Sequence, residues 1–144
     1  MILTSNQIRE QIKDNLDIGK GFFKNKLWKT NAIKDRAFYA PSPSDLMQDY
    51  SLAKQTIVDR LKKEIKSLAT TEGIYDCDNM ARRLRVELHD QHYLKYLAKQ
   101  HNLPYEYAVW QVTDEKPIPP NNILRHDYCI IFTTEGIYFA DLMR

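Results

Sequence analysis

The sequence predicts an α+β fold: helices through the first two-thirds, then a small antiparallel sheet. Three observations predict it. Apolar residues recur at helical spacing from Ile8 to Leu16, from Leu46 to Leu68 and from Cys77 to Leu97. The stretch Tyr105 to Val112 is rich in aromatic and β-branched residues, which suit a pleated, half-buried strand. Residues 126–132 and 137–142 are apolar runs joined by Thr133-Thr134-Glu135-Gly136, a β-hairpin pattern.

The length of 144 residues suits one domain, with a helical part over 1–70 and a helix plus antiparallel sheet over 71–144. A net charge of +2 gives no global case for nucleic acid. No apolar run has the length to span a membrane, so no membrane partner is expected. Met1 to Ser5 lacks the basic start and long apolar core of a signal peptide, so a cytoplasmic setting is expected. Two cysteines are too few for a disulfide framework, and both thiols are expected to be free.

In chain order, Ser5 can cap a first helix through about Leu16, which Gly19 and Gly21 break. Gly19-Lys20-Gly21 is no phosphate loop, since no third glycine follows and no strand precedes it. Residues 20–36 interleave Lys24, Lys26, Lys29, Lys34 and Arg36 with Phe22, Phe23 and Trp28. That pattern can bind single-stranded nucleic acid, or it can be a solvated face with its aromatics turned inward. Phe38 to Asp45 is an extended connector because each proline pushes its predecessor out of helical space. Ser42 or Ser44 can cap the next helix, Asp45 to about Leu68. The Cys77 helix extends to about Gln100, with His89-Asp90-Gln91-His92 polar enough to mark a bend. His89 and His92 stand at i, i+3 without a second pair of ligands, so no metal and no cofactor is expected. Residues 113–124, with Pro117, Pro119 and Pro120, read as a loop.

Two segments carry chemistry. Asp76 suits an N-cap, and Cys77 stands at the top of the stripe Met80, Ala81, Leu84, Leu88. A helix start favours the thiolate, the nucleophilic form of cysteine. A cysteine on an apolar helix face is equally a small core residue, and the flanking Asp76 and Asp78 oppose a thiolate unless a cation compensates. The second segment places His126 at the head of one strand and Asp141 near the end of the next. A four-residue loop pairs Phe132 with Ile137 and sets His126 and Asp141 diagonally on one face, within hydrogen-bonding reach. A two-residue Glu135-Gly136 loop leaves them on one face but too far apart; a three-residue loop turns them to opposite faces. Cys129 has the opposite strand parity to His126 and reads as structural.

The run Asp76-Cys77-Asp78-Asn79-Met80-Ala81, then His126, then Gly136 to Asp141, resembles the papain-like and transglutaminase-like thiol enzymes, in particular small bacterial, phage and lectin-associated members. The resemblance covers residues 75–142. It implies a Cys-His-Asp triad: Cys77 as nucleophile toward an amide or acyl carbon, His126 as proton carrier, Asp141 as its orienting group. It implies a protein or peptide substrate. Gln48, Tyr75 and Gln111 are candidate side-chain donors to an oxyanion. Asp127, directly after His126, departs from the family pattern and could be the histidine's partner instead. The alternatives are a catalytically inactive copy of the fold that grips a protein partner, and nucleic-acid binding through residues 20–36.

Overall fold

The computed structural model describes residues 2–15, 37–64, 77–98, 106–120 and 122–142. The basic and aromatic segment, the Asp76 cap and Tyr75 lie outside them.

The fold is α+β, as the periodicities predict. Its elements run β1 (Ile2–Thr4), α1 (Ser5–Asn15), β2 (Ala37–Tyr39), α2 (Pro43–Glu64), α3 (Cys77–Leu97), β3 (Val109–Ile118), β4 (Asn122–Thr133) and β5 (Gly136–Ala140). The first helix is capped by Thr4 rather than Ser5. The Gln7 N–H donates to Thr4 Oγ1 at 3.2 Å, and the Thr4 N–H donates to Gln7 Oε1 at 2.8 Å. This reciprocal pair is a capping box, spelled Thr-x-x-Gln. Ser42 caps α2: its Oγ accepts from the Asp45 N–H at 3.2 Å, and its carbonyl accepts from Leu46 at 2.9 Å. Pro43 fits the first helical position, where an amide hydrogen would have no partner. Asp45 in the first turn and Lys62 and Lys63 in the last oppose the helix dipole favourably. Helix α3 continues through His89–His92 without a break. Gln91 and His92 are buried there, so packing holds the polar stretch in the helix.

Residues 113–124 correct the expected loop. Strand β3 runs on to Ile118 and pairs with β4 in register, from Val109 opposite Ile131 to Ile118 opposite Asn122. Pro117 is tolerated because β3 is an outer strand in the order β3-β4-β5, so its missing N–H breaks no second ladder. Pro119 and Pro120 form the turn. The final hairpin has Phe132 opposite Ile137 and Cys129 opposite Ala140, the register expected of a four-residue loop, but pairing continues to Thr133 opposite Gly136, so the turn itself is Thr134 and Glu135. Gly136 takes a φ of 142°, a conformation open to glycine and costly for other residues.

A two-stranded ribbon, unforeseen in the sequence, pairs β1 with β2, with Leu3 opposite Phe38. The Tyr39 N–H donates to the Glu106 carbonyl at 2.7 Å, and the Ala108 N–H donates to the Tyr39 carbonyl at 2.9 Å, which ties the ribbon to the start of β3.

The sheet is covered on both faces. Trp110, Val112, Ile130 and Phe132 pack with Leu3, Ile8, Ile12 and Phe38. Val109, Cys129, Ile131 and Ala140 pack with Leu46, Ala53 and Ile57 of α2 and Ala81, Leu84 and Leu88 of α3. A strand buried on both faces needs a continuous apolar run, and Cys129-Ile130-Ile131-Phe132 supplies it. Among the described residues, no helix is long and apolar enough to cross a membrane.

Candidate functional site

Two polar tethers hold the first turns of α3 against the sheet. Gln111 stands opposite Cys129 in the ladder. Its Nε2 donates to Asp127 Oδ2 at 2.6 Å and to the Asp78 carbonyl at 3.3 Å. One turn further along, the Cys129 thiol donates to the Ala81 carbonyl at 3.1 Å. Asp127 is buried and gains its satisfaction from Gln111. Burial pushes the Cys129 thiol up to about 12, against a smaller opposing pull from Arg85. Cys129 is therefore a protonated structural thiol at neutral pH. Gln111 spends both amide hydrogens on these contacts and has none left for an oxyanion. Gln48 is exposed on α2.

Cys77 is the first residue of α3 and is half-buried. It precedes Asp78, whose carboxylate meets Arg82 at 3.8 Å in an exposed i, i+4 pair. Strand parity fixes the remaining geometry. Asp127 and Cys129 belong to the row that faces α3, and His126 belongs to the other row, with Tyr128 and Ile130. The His126 ring lies 6.1 Å from Tyr128, near parallel, and Tyr128 meets Phe139 edge-on at 5.8 Å.

His126 and Asp141 meet through His126 Nε2 and Asp141 Oδ2. The contact is the diagonal one that the hairpin register allows. A carboxylate only accepts, so Nε2 carries the hydrogen, and in the neutral ring Nδ1 is the nitrogen that can take up a proton. Both side chains are largely shielded, at 22% and 18% exposed, so water competes weakly for the bond. Among the described residues, no hydrogen bond joins Cys77 to His126.

Beside β5 lies an apolar cleft of about 370 Å³, lined among the described residues by Leu46, Met47, Tyr50, Tyr138 and Phe139, with Asp141 at its edge. Burial, and then the charge of Asp141, raise the Tyr50 hydroxyl above its ordinary range. The cleft and the histidine–carboxylate pair thus share Asp141.

Compared with known protein families, curated proteins and solved structures, the chain matches none.

A polar centre that sequence reasoning missed lies between α2, α3 and the start of β3. Buried Asp49 accepts from the Tyr107 hydroxyl at 2.9 Å and pairs with Lys95 Nζ. Burial and then the Asp49 charge push the Tyr107 phenol far above its ordinary range. Tyr39 stacks on His92 at 4.2 Å, and its hydroxyl is raised to about 12, first by burial and then by Asp49. The available signal was position. Asp49 is at i+3 from Leu46 and i−4 from Ala53, which puts a carboxylate on the apolar stripe.

His89 and His92, considered as a metal pair, are packed instead, and among the described residues no group of three His, Cys, Asp or Glu could hold a metal ion. Burial lowers His89 to about 4, aided by Arg85 and His92 and opposed by Asp90. The unfolded chain takes up this proton near pH 6.5 and the folded chain near pH 4. Stability that His89 leaves intact above pH 6.5 is therefore lost as the pH falls toward 4. Partial exposure discounts the full shift, leaving about 1–2 kcal/mol. Urea unfolding across this window should show a shallower acid loss for His89→Gln than for the parent.

Proposed function

We propose that the chain is a cysteine-dependent amide hydrolase or acyltransferase, with Cys77 as nucleophile, His126 as proton carrier and Asp141 as its orienting group. The observation that carries this reading is the hydrogen bond between His126 Nε2 and Asp141. It fixes one tautomer and leaves Nδ1 as the ring nitrogen able to take up a proton, the tautomer that nucleophilic catalysis by cysteine uses. The first turn of α3 supports it, because Cys77 sits at the positive end of a 21-residue helix. The apolar cleft that touches Asp141 would seat an apolar side chain of a peptide substrate.

The chemistry would run in two steps. His126 Nδ1 takes the thiol proton as sulfur attacks the carbonyl carbon, then delivers it to the departing amine, leaving a thioester. Water or a second amine, deprotonated by the same nitrogen, then releases the acyl group and restores the thiol. Because His126 lies in the row turned away from α3, this chemistry requires a rearrangement that brings the imidazole and the sulfur to one side of β4. The second reading, an inactive copy of the fold that binds a protein, is favoured by strand parity, which puts His126 in the row turned away from α3.

Alkylation with iodoacetamide separates the two. Cys129 is sealed and protonated, so labelling at pH 7 reports Cys77. The enzyme reading expects His126→Ala to slow that labelling about tenfold or more, and Asp141→Ala to slow it less. A rate unchanged in both variants would sink the reading and leave the binding module.

A further inference from the structure

The three-stranded sheet ends on β5, and the outer side of that strand carries unpaired backbone groups. The Phe132 N–H donates to the Ala108 carbonyl at 2.9 Å, so the Phe132 backbone points toward the start of β3. Backbone polar groups alternate sides along a strand, so those of Cys129, Ile131 and Thr133 point toward β5. Their partners there are Ala140, Tyr138 and Gly136. The N–H and C=O groups of Ile137 and Phe139 therefore point away from the sheet. Among the described residues, no backbone group pairs with them on that side.

The two edges of the sheet differ. The sequence of β3 includes Asp114, Glu115, Lys116 and Pro117, the charges and proline that keep an edge from pairing. The sequence of β5, Gly136-Ile137-Tyr138-Phe139-Ala140, has neither. Tyr138 and Phe139 are both exposed large apolar residues. One edge is guarded and the other is open.

The apolar cleft lies on the α2 side of the open edge, with Leu46, Met47 and Tyr50 of α2 facing Tyr138 and Ala140 of β5. Tyr138 stands opposite Ile131, whose row packs on α2 and α3, so Tyr138 turns to that face. Residues directly opposite in a ladder share a face. A residue brought opposite Tyr138 from outside would thus turn its side chain over the cleft, toward Met47, which is 57% exposed. The volume of about 370 Å³ accommodates a large apolar side chain. Glu135 is exposed at the turn end of the same edge, and among the described residues no cation pairs with it.

Charge selects the occupant. A second copy, paired so that Ile137 of each meets Phe139 of the other, would set Glu135 against Asp141 twice, like charge on like. A foreign segment with a lysine or arginine near its end meets Glu135 with opposite charge.

We propose that β5 takes up an extended peptide segment of another protein as a fourth strand, with a large apolar side chain of the segment over the cleft and a lysine or arginine beside Glu135. In such strand addition the backbone hydrogen bonds supply affinity and the side-chain pocket supplies selectivity. The inference shares the cleft with the proposed function but not the thiol chemistry.

Amide hydrogen exchange on the whole chain, with and without the peptide acetyl-Lys-Thr-Val-Phe-Val-Thr-Lys-amide, tests it. Either strand direction puts a lysine beside Glu135 when the phenylalanine lies opposite Tyr138. Exchange at Ile137 and Phe139 is expected to slow about tenfold or more as the peptide saturates one site, and exchange at Tyr138, already bonded to β4, to change less. Met47→Lys is expected to weaken binding about tenfold, and Glu135→Lys about threefold. Phe139→Pro removes an outward donor and no ladder bond, a change that an edge strand tolerates, and is expected to weaken binding as well. Circular dichroism verifies the fold of each variant. Cys77→Ser is expected to bind the peptide as the parent does, so failure of the enzyme reading would leave this one standing. Unchanged exchange at Ile137 and Phe139 in millimolar peptide overturns the proposal, as does binding that survives both Met47→Lys and Phe139→Pro. So does a dimer of the free chain in which these two amides are already protected.

Discussion

Replacing Phe132 with alanine is expected to destabilise the protein by about 3–5 kcal/mol, the range for emptying a fully buried aromatic site. Phe132 has no exposed surface and meets Trp110 edge-on at 5.3 Å. It stands in the central strand, opposite Ile137, and its N–H donates to the Ala108 carbonyl at 2.9 Å. Neighbours on that face come from β1, α1, β2, β3 and β5, so no single element can move in to fill the space. Leucine at the same position should recover more than half of the loss, because it restores most of the volume. Urea midpoints at constant slope would check this. A loss below about 1 kcal/mol would mean that the site collapses, against the packing described.

The second large effect is expected at Asp49. Its carboxylate is 4% exposed and serves the Tyr107 hydroxyl and the Lys95 ammonium together. Asp49→Ala leaves the phenol hydroxyl buried without its acceptor and should cost about 2–4 kcal/mol. Lys95 is more than a third exposed and turns to water, so it adds little. Tyr107→Phe should cost less, about 1–2 kcal/mol, since Asp49 keeps its ammonium partner. The double variant Asp49→Ala with Tyr107→Phe should cost less than the two single losses added, because neither leaves an orphaned group. Strict additivity in thermal or urea unfolding would refute the coupling.

Much of the fold was legible because the sequence is locally consistent. The stripes Ile8–Ile12 and Leu46–Ala53–Ile57 announce α1 and α2, and Gly136 marks the last turn. The register that brings His126 to Asp141 could be written as one of three loop options, since strand parity is strict arithmetic. Other features depend on distant partners. The Thr4 cap requires seeing Gln7 reach back, and β1 is only three residues long. Prolines at 117, 119 and 120 suggested a loop because sequence does not reveal that β3 lies on the outside of the sheet. The Gln111–Asp127 tether joins residues sixteen apart through tertiary packing, with no local pattern to announce it.

The uncharged run Tyr128 to Thr134, its centre covered on both faces in the native state, has a different meaning in a nascent or denatured chain. Six or seven extended residues without charge or proline are the material of cross-β association. Asp127 on one side and Glu135 on the other bracket the run and act as gatekeepers against it. Dilute refolding therefore favours the monomer; neutralising Glu135 removes a guard alone, whereas neutralising Asp127 also strips the Gln111 tether of its acceptor.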